Sequence, residues 1–87
     1  MREYVIDCEK LIERSAAHEY LKTALELPDY YGKNLDALFD CLTELGDCTV
    51  ILEGGADLSQ NGGYGAKVLG VLEEAALANP RLKLEIQ

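Results

Sequence analysis

Residues 30–45 read YYGKNLDALFDCLTEL. Asn34 is suited to capping a helix, because its side-chain oxygen can accept from the orphan N–H groups of a first turn. Gly46 is placed to end that helix. Leu35, Leu38, Phe39, Leu42 and Leu45 fall at offsets 0, 3, 4, 7 and 10, which at 3.6 residues per turn is one apolar stripe facing a core. Asp36, Asp40 and Glu44 lie at i, i+4 and i+8, on a row almost opposite the leucines. Like charges at that spacing cost an isolated helix roughly 0.2–0.5 kcal/mol per pair. Asp36 suits the positive end of the helix dipole, but Asp40 is mid-helix and Glu44 lies near the negative end. The row therefore reads either as a solvated face of an acidic chain or as a surface for a cation outside it.

The whole chain has 87 residues, enough for one domain (1–87) with a modest core. Its 48% hydrophobic and 28% charged residues are those of an ordinary soluble globule rather than a disordered segment. A net charge of −8 argues against nucleic acid or an anionic membrane as partner and favours a basic protein. No Lys or Arg occurs from Asn34 through Ala66, while Asp36, Asp40, Glu44, Asp47, Glu53 and Asp57 all do. Cys8, Cys41 and Cys48 form no metal spacing, and an odd count suits reduced thiols in a cytoplasm. Cys41, beside the stripe, reads as a small buried hydrophobe. No signal peptide or membrane-spanning run is visible, so the mature chain is expected to begin at Met1. No cofactor, metal or small-molecule substrate is indicated.

Outward from residues 30–45, Tyr4-Val5-Ile6 is a short strand. Leu11 and Ile12 are expected to tuck under the next element. Ser15 reads as the cap of a helix carrying Ala17, Tyr20, Leu21, Ala24 and Leu25, closed by Pro28. His18, the sole histidine, lacks a second ligand at metal spacing and reads as structural or surface. Gly32 can take positive φ and admit another backbone, and Tyr30 and Tyr31 beside it are either core caps or binding anchors. Thr49-Val50-Ile51-Leu52 reads as a strand buried on both faces. Residues 54–65 are a loop with one helical turn around Asp57 to Gln60; Asn61 to Gly65 resembles a phosphate cradle only superficially, with no GK[ST] following. From about Ala66, Val68, Leu69, Leu72, Ala75, Ala76 and Leu77 form a second helical stripe, ended by Asn79-Pro80. Leu82 to Ile86 alternates as an edge strand. The predicted fold is α/β, a small three-stranded parallel sheet packed by three to four helices.

Leu27 to Leu45, LPDYYGKNLDALFDCLTEL, resembles the signature of the barstar family, intracellular inhibitors of barnase-type secreted guanyl-specific ribonucleases. The agreement runs ungapped through Pro28, Tyr30, Tyr31, Gly32, Asn34 to Leu38, and Asp40 to Thr43, and the likeness extends over essentially the whole chain, with a loop about three residues shorter before the last helix. The resemblance implies a cytoplasmic binding module, not an enzyme, that plugs a ribonuclease active site in a 1:1 complex. Asp40 would stand in for the substrate phosphate, Asp36 would meet an arginine, Tyr30 would pack over the catalytic histidine, Asn34 and the Gly32 backbone would add polar contacts, and Thr43 would contact a lysine. Glu74 matches an outlying acidic contact. With Tyr31, Leu35, Phe39 and Glu44, these make up the expected partner-binding set. Phe39 and Leu45 replace common tryptophans, Gly46 a larger apolar residue, Lys33 and Ala78 acids; Lys33 would set a positive charge beside the row. These departures imply a different cognate enzyme. The alternative is a barstar-fold interaction domain for another basic partner. An enzyme using the acids in catalysis or metal binding is disfavoured, since no second cluster converges on them.

Overall fold

The computed structural model describes residues 2–54 and 63–87. They form β1 (Arg2–Asp7), a 3-10 turn (Cys8–Leu11), α1 (Arg14–Ala24), α2 (Leu35–Thr43), β2 (Cys48–Glu53), α3 (Gly63–Ala78) and β3 (Leu82–Ile86). The strands make one parallel sheet in the order β1-β2-β3, with Tyr4 beside Val50 and Val50 beside Leu84. This is the expected α/β architecture, with three α-helices among the described residues. The turn expected around Asp57 to Gln60, and Asn61 and Gly62 of the supposed cradle, lie outside them; Tyr64 and Gly65 belong to α3, which begins earlier than the apolar spacing predicts.

The continuous apolar run of β2 does not signal burial on both faces. Cys48, Val50 and Leu52 are buried, whereas Thr49 and Ile51 are only half-buried. Both crossovers step across the sheet in the same direction, and crossovers of one hand then stack their helices on one face. The other face, with Glu3, Val5, Lys83 and Glu85 exposed, meets solvent. On the covered side Ile6, Leu11, Leu21, Leu25, Leu38, Leu42, Leu52, Val68 and Leu72 pack into one core. Ile12 and Leu77, expected to be inside, are 73% and 88% exposed; the 3-10 turn buries Leu11 and turns the next side chain outward.

Helix ends differ from expectation in instructive ways. Ser15 does not cap α1; Glu13 occupies the cap position, with no side-chain bond. Its C-terminus stops before Pro28 can act, because Glu26 adopts φ 54° and the N–H groups of Glu26 and Leu27 donate to Thr23 O (3.3 Å) and Lys22 O (2.8 Å). That paired arrangement is a Schellman motif with a non-glycine residue in the left-handed position.

His18 is buried, as a structural residue rather than a surface one. Its Nδ1 lies 2.6 Å from the Tyr31 hydroxyl and its Nε2 2.5 Å from the Tyr64 hydroxyl. A neutral ring donates from one nitrogen and accepts at the other, and each phenol can take the complementary role. Burial, and secondarily the charge of Arg14, hold the imidazole below its ordinary value of 6.5. A depressed histidine pKa means that the folded chain resists a proton the unfolded chain accepts, so stability is complete above about 6.5 and falls as pH drops below it. Melting temperature is accordingly expected to decline between pH 7 and pH 5, and His18→Gln to flatten that decline; an equal slope in both proteins would contradict it.

Candidate functional site

The candidate site is α2 with the loop before it. Asn34 caps α2 as its sequence suggests: Oδ1 accepts from Ala37 N at 2.7 Å, while Nδ2 donates back to Gly32 O at 3.2 Å. Gly32 does not take positive φ; the left-handed residue is Lys33, at φ 54°. What Gly32 supplies is proximity, since a Cβ there would lie 3.3 Å from the Ala37 Cβ and 3.4 Å from Asn34 Nδ2. Lys33 does not present a free charge to the acidic row either, because its ammonium is bound by Glu19, which holds that carboxyl below its usual value.

Leu38 and Leu42 are fully buried; Leu35, Phe39 and Leu45 are half-buried along the same stripe. Asp36, Asp40 and Glu44 are exposed on the opposite side. The ion pairs among the described residues are Arg2–Glu26, Lys22–Asp29 and Lys33–Glu19, so none neutralises the row. At 1.5 Å rise per residue its three acids span about 12 Å. Glu74, exposed on α3, joins them: with Asp36 and Asp40 it rims a shallow cleft floored by Leu35, Phe39 and Val71. Asp36 and Asp40 from α2 thus meet Glu74 from α3, 38 and 34 residues further along the chain.

The two tyrosines divide the alternatives left by the sequence. Tyr31 is 5% exposed with its hydroxyl on His18, and burial raises its phenol well above the ordinary value, so its side chain is a core cap. Tyr30 is 83% exposed beside a groove lined by Leu27, Pro28, Cys41 and Leu45. Thr43 is half-buried and its Oγ1 donates to Asp40 O at 2.9 Å. Cys41 is half-buried rather than buried, and burial followed by the carboxylates of Glu44 and Asp40 raises its thiol pKa, which keeps it protonated and a poor nucleophile. Cys8 and Cys48 are buried, and all three cysteines are free.

The C-terminal end of α2 is not closed by Gly46, which has open space around it and no positive φ. The chain tightens instead, Glu44 N and Leu45 N donating to Cys41 O and Leu42 O at 3.2 and 3.3 Å. Asn79 fastens the same end: Nδ2 donates to Leu42 O, as a second bond to that carbonyl, and to Leu45 O, both at 3.0 Å, and Oδ1 accepts from Arg81 N at 3.0 Å. Sequence reasoning saw Asn79 only as the end of α3; it is also the buried fastening of the helix that bears the acids.

Comparison with known proteins adds a family to this geometry. The sequence model of Barstar (barnase inhibitor) matches residues 1–87. The chain belongs to the barstar family. A relative from Bacillus subtilis (strain 168), "Putative ribonuclease inhibitor YrdF", is 42% identical over 79 residues, covering 86% of each chain. The barstar-family membership agrees with the resemblance carried by residues 27–45 and with the parallel three-stranded sheet. Among the described residues no group of three or more His, Cys, Asp or Glu could hold a metal ion, and no helix is long and apolar enough to cross a membrane.

Proposed function

We propose that this protein is a stoichiometric inhibitor of a basic, secreted, barnase-type guanyl-specific ribonuclease, closing the enzyme's active site with α2 and the loop before it. The observation that carries the reading is the exposed row Asp36-Asp40-Glu44, which no lysine or arginine of the described chain neutralises. A phosphate-binding cleft is lined with cations, and a lysine-free acidic helix complements it in sign. Asp40, central in the row, takes the place of the substrate phosphate before the enzyme's arginines and catalytic histidine. Asp36 and Glu74, on the two sides of the Leu35-Phe39-Val71 cleft, receive a further arginine. Tyr30, already in water in the free protein, packs over the catalytic histidine, losing aromatic exposure on binding. The Gly32 backbone, the Asn34 amide and the Thr43 hydroxyl supply polar contacts at the margin, and Leu35, Phe39 and Glu44 complete the contact surface, Glu44 through its charge. Tyr31 acts from inside, setting the loop through His18.

The family relationship and the relative's printed name support an inhibitory role. Titration of a barnase-type ribonuclease from the same genome, at low ionic strength, is expected to abolish its activity at one equivalent, with the break point sharpening as salt is lowered. Full ribonuclease activity at an excess of the protein would sink the reading and leave a barstar-fold module for another basic partner.

A further inference from the structure

The acids of α2 end against cations. Arg14, at the start of α1, and Lys67, on α3, line one cleft together with Asn34, Leu35 and Asp36 at the N-terminus of α2. Arg14 also lines the adjoining cleft with Lys33 and His18. Three of the chain's eight Lys and Arg residues, from separate stretches of sequence, therefore gather at one end of the row. Lys33 is paired with Glu19, but neither Arg14 nor Lys67 forms an ion pair among the described residues, and both are exposed. The positive end of the α2 dipole points to the same place.

Collecting like charges there brings mutual repulsion, and against a uniformly cationic partner they would subtract from the attraction exerted by Asp36. We infer that Arg14 and Lys67 form a second docking point of opposite sign, which receives a carboxylate side chain at the rim of the ribonuclease's cationic cleft and so selects among ribonucleases. The inference rests on the inhibitor reading and deepens it by naming the charge pattern of the partner: a positive cleft with an acid on the side facing the N-terminus of α2. A guanidinium offers such an acid a two-pronged set of donors, and the ammonium of Lys67 adds a point charge. An enzyme with a lysine or arginine at that rim position meets like charge, which costs affinity.

The test uses the full chain and a barnase-type ribonuclease from the same genome, with binding measured for the wild type, an R14Q/K67Q double variant, an R14E/K67E double variant and D40A. Arg14 and Lys67 are exposed, so at pH 8, where His18 is neutral with or without the Arg14 charge, the melting curve of R14Q/K67Q should overlay the wild type. Affinity is expected to fall roughly tenfold in R14Q/K67Q and roughly a hundredfold in R14E/K67E. Neutralising the enzyme's facing acid, Glu→Gln or Asp→Asn, should reproduce the tenfold loss without adding to that of R14Q/K67Q. Wild-type affinity in both double variants, with binding lost in D40A, would overturn the docking point and leave the acidic row standing. Absence of binding by the wild type would overturn both. Calorimetry with inorganic phosphate gives a further arm: binding that R14Q/K67Q abolishes, with ribonuclease affinity unchanged, would make the corner a small-anion site and overturn the inference.

Discussion

Asp40→Ala is expected to weaken binding to the ribonuclease by several kcal/mol while leaving the fold as stable as before, or slightly more so. On the stability side, Asp40 is exposed, mid-helix and unpaired among the described residues. Its removal relieves repulsion from Asp36 and Glu44, roughly 0.2–0.5 kcal/mol for each pair, and replaces a poor helix former with the best one. On the binding side, the enzyme's cations would be enclosed with no counter-charge, which costs about 2–5 kcal/mol or more; that magnitude is drawn from the barstar family's own charge pairs. Thermal melts run in parallel with inhibition titrations separate the two effects. A variant that lost stability and inhibition together would show that Asp40 serves the fold.

Asn79→Ala should do the reverse and damage the fold first. Its side-chain amide donates to two carbonyls at the end of α2 and accepts from the N–H of Arg81, just before β3. Leu42 O keeps its bond from Leu45 N, while Leu45 O and Arg81 N lose a partner in partly buried surroundings at about 1–3 kcal/mol each, less what water restores, so a loss of about 2–4 kcal/mol is expected. For a domain worth roughly 4–13 kcal/mol in total this is severe. Asn79→Asp is the sharper probe: it keeps the shape but replaces the donor with an acceptor facing two carbonyl oxygens. Urea unfolding of both variants gives the result, and a change under about 0.5 kcal/mol in either would show that the fastening contributes nothing. Inhibition measured well below the new melting point should also weaken, since the C-terminal end of the acidic helix would no longer be held.

These two residues also mark what could and could not be read from sequence. The α2 helix, its cap at Asn34, its apolar stripe and its acidic row were legible because each depends on neighbours within a few positions, where 3.6-residue periodicity and capping chemistry operate. The parallel sheet followed from strands separated by helical stretches. Asn79 and His18 were not legible in the same way: their partners lie up to 37 and 46 residues away, and a lone polar residue gives no local sign of what it will meet. Helix ends failed for a related reason. Ser15, Gly46 and Pro28 are good terminators by type, yet Glu26 in a left-handed turn ends α1 and a distant amide closes α2. The two tyrosines could not be told apart until packing sent one to His18 and the other into water.

The bare side of the sheet has a practical meaning. The helices among the described residues lie across the opposite side, so Glu3, Lys83 and Glu85 project away from the acidic row. A fluorophore, a tether to a sensor chip or a fused protein attached through Lys83 would stand behind the molecule as it meets its enzyme. The chain thus has a handle as well as a working end.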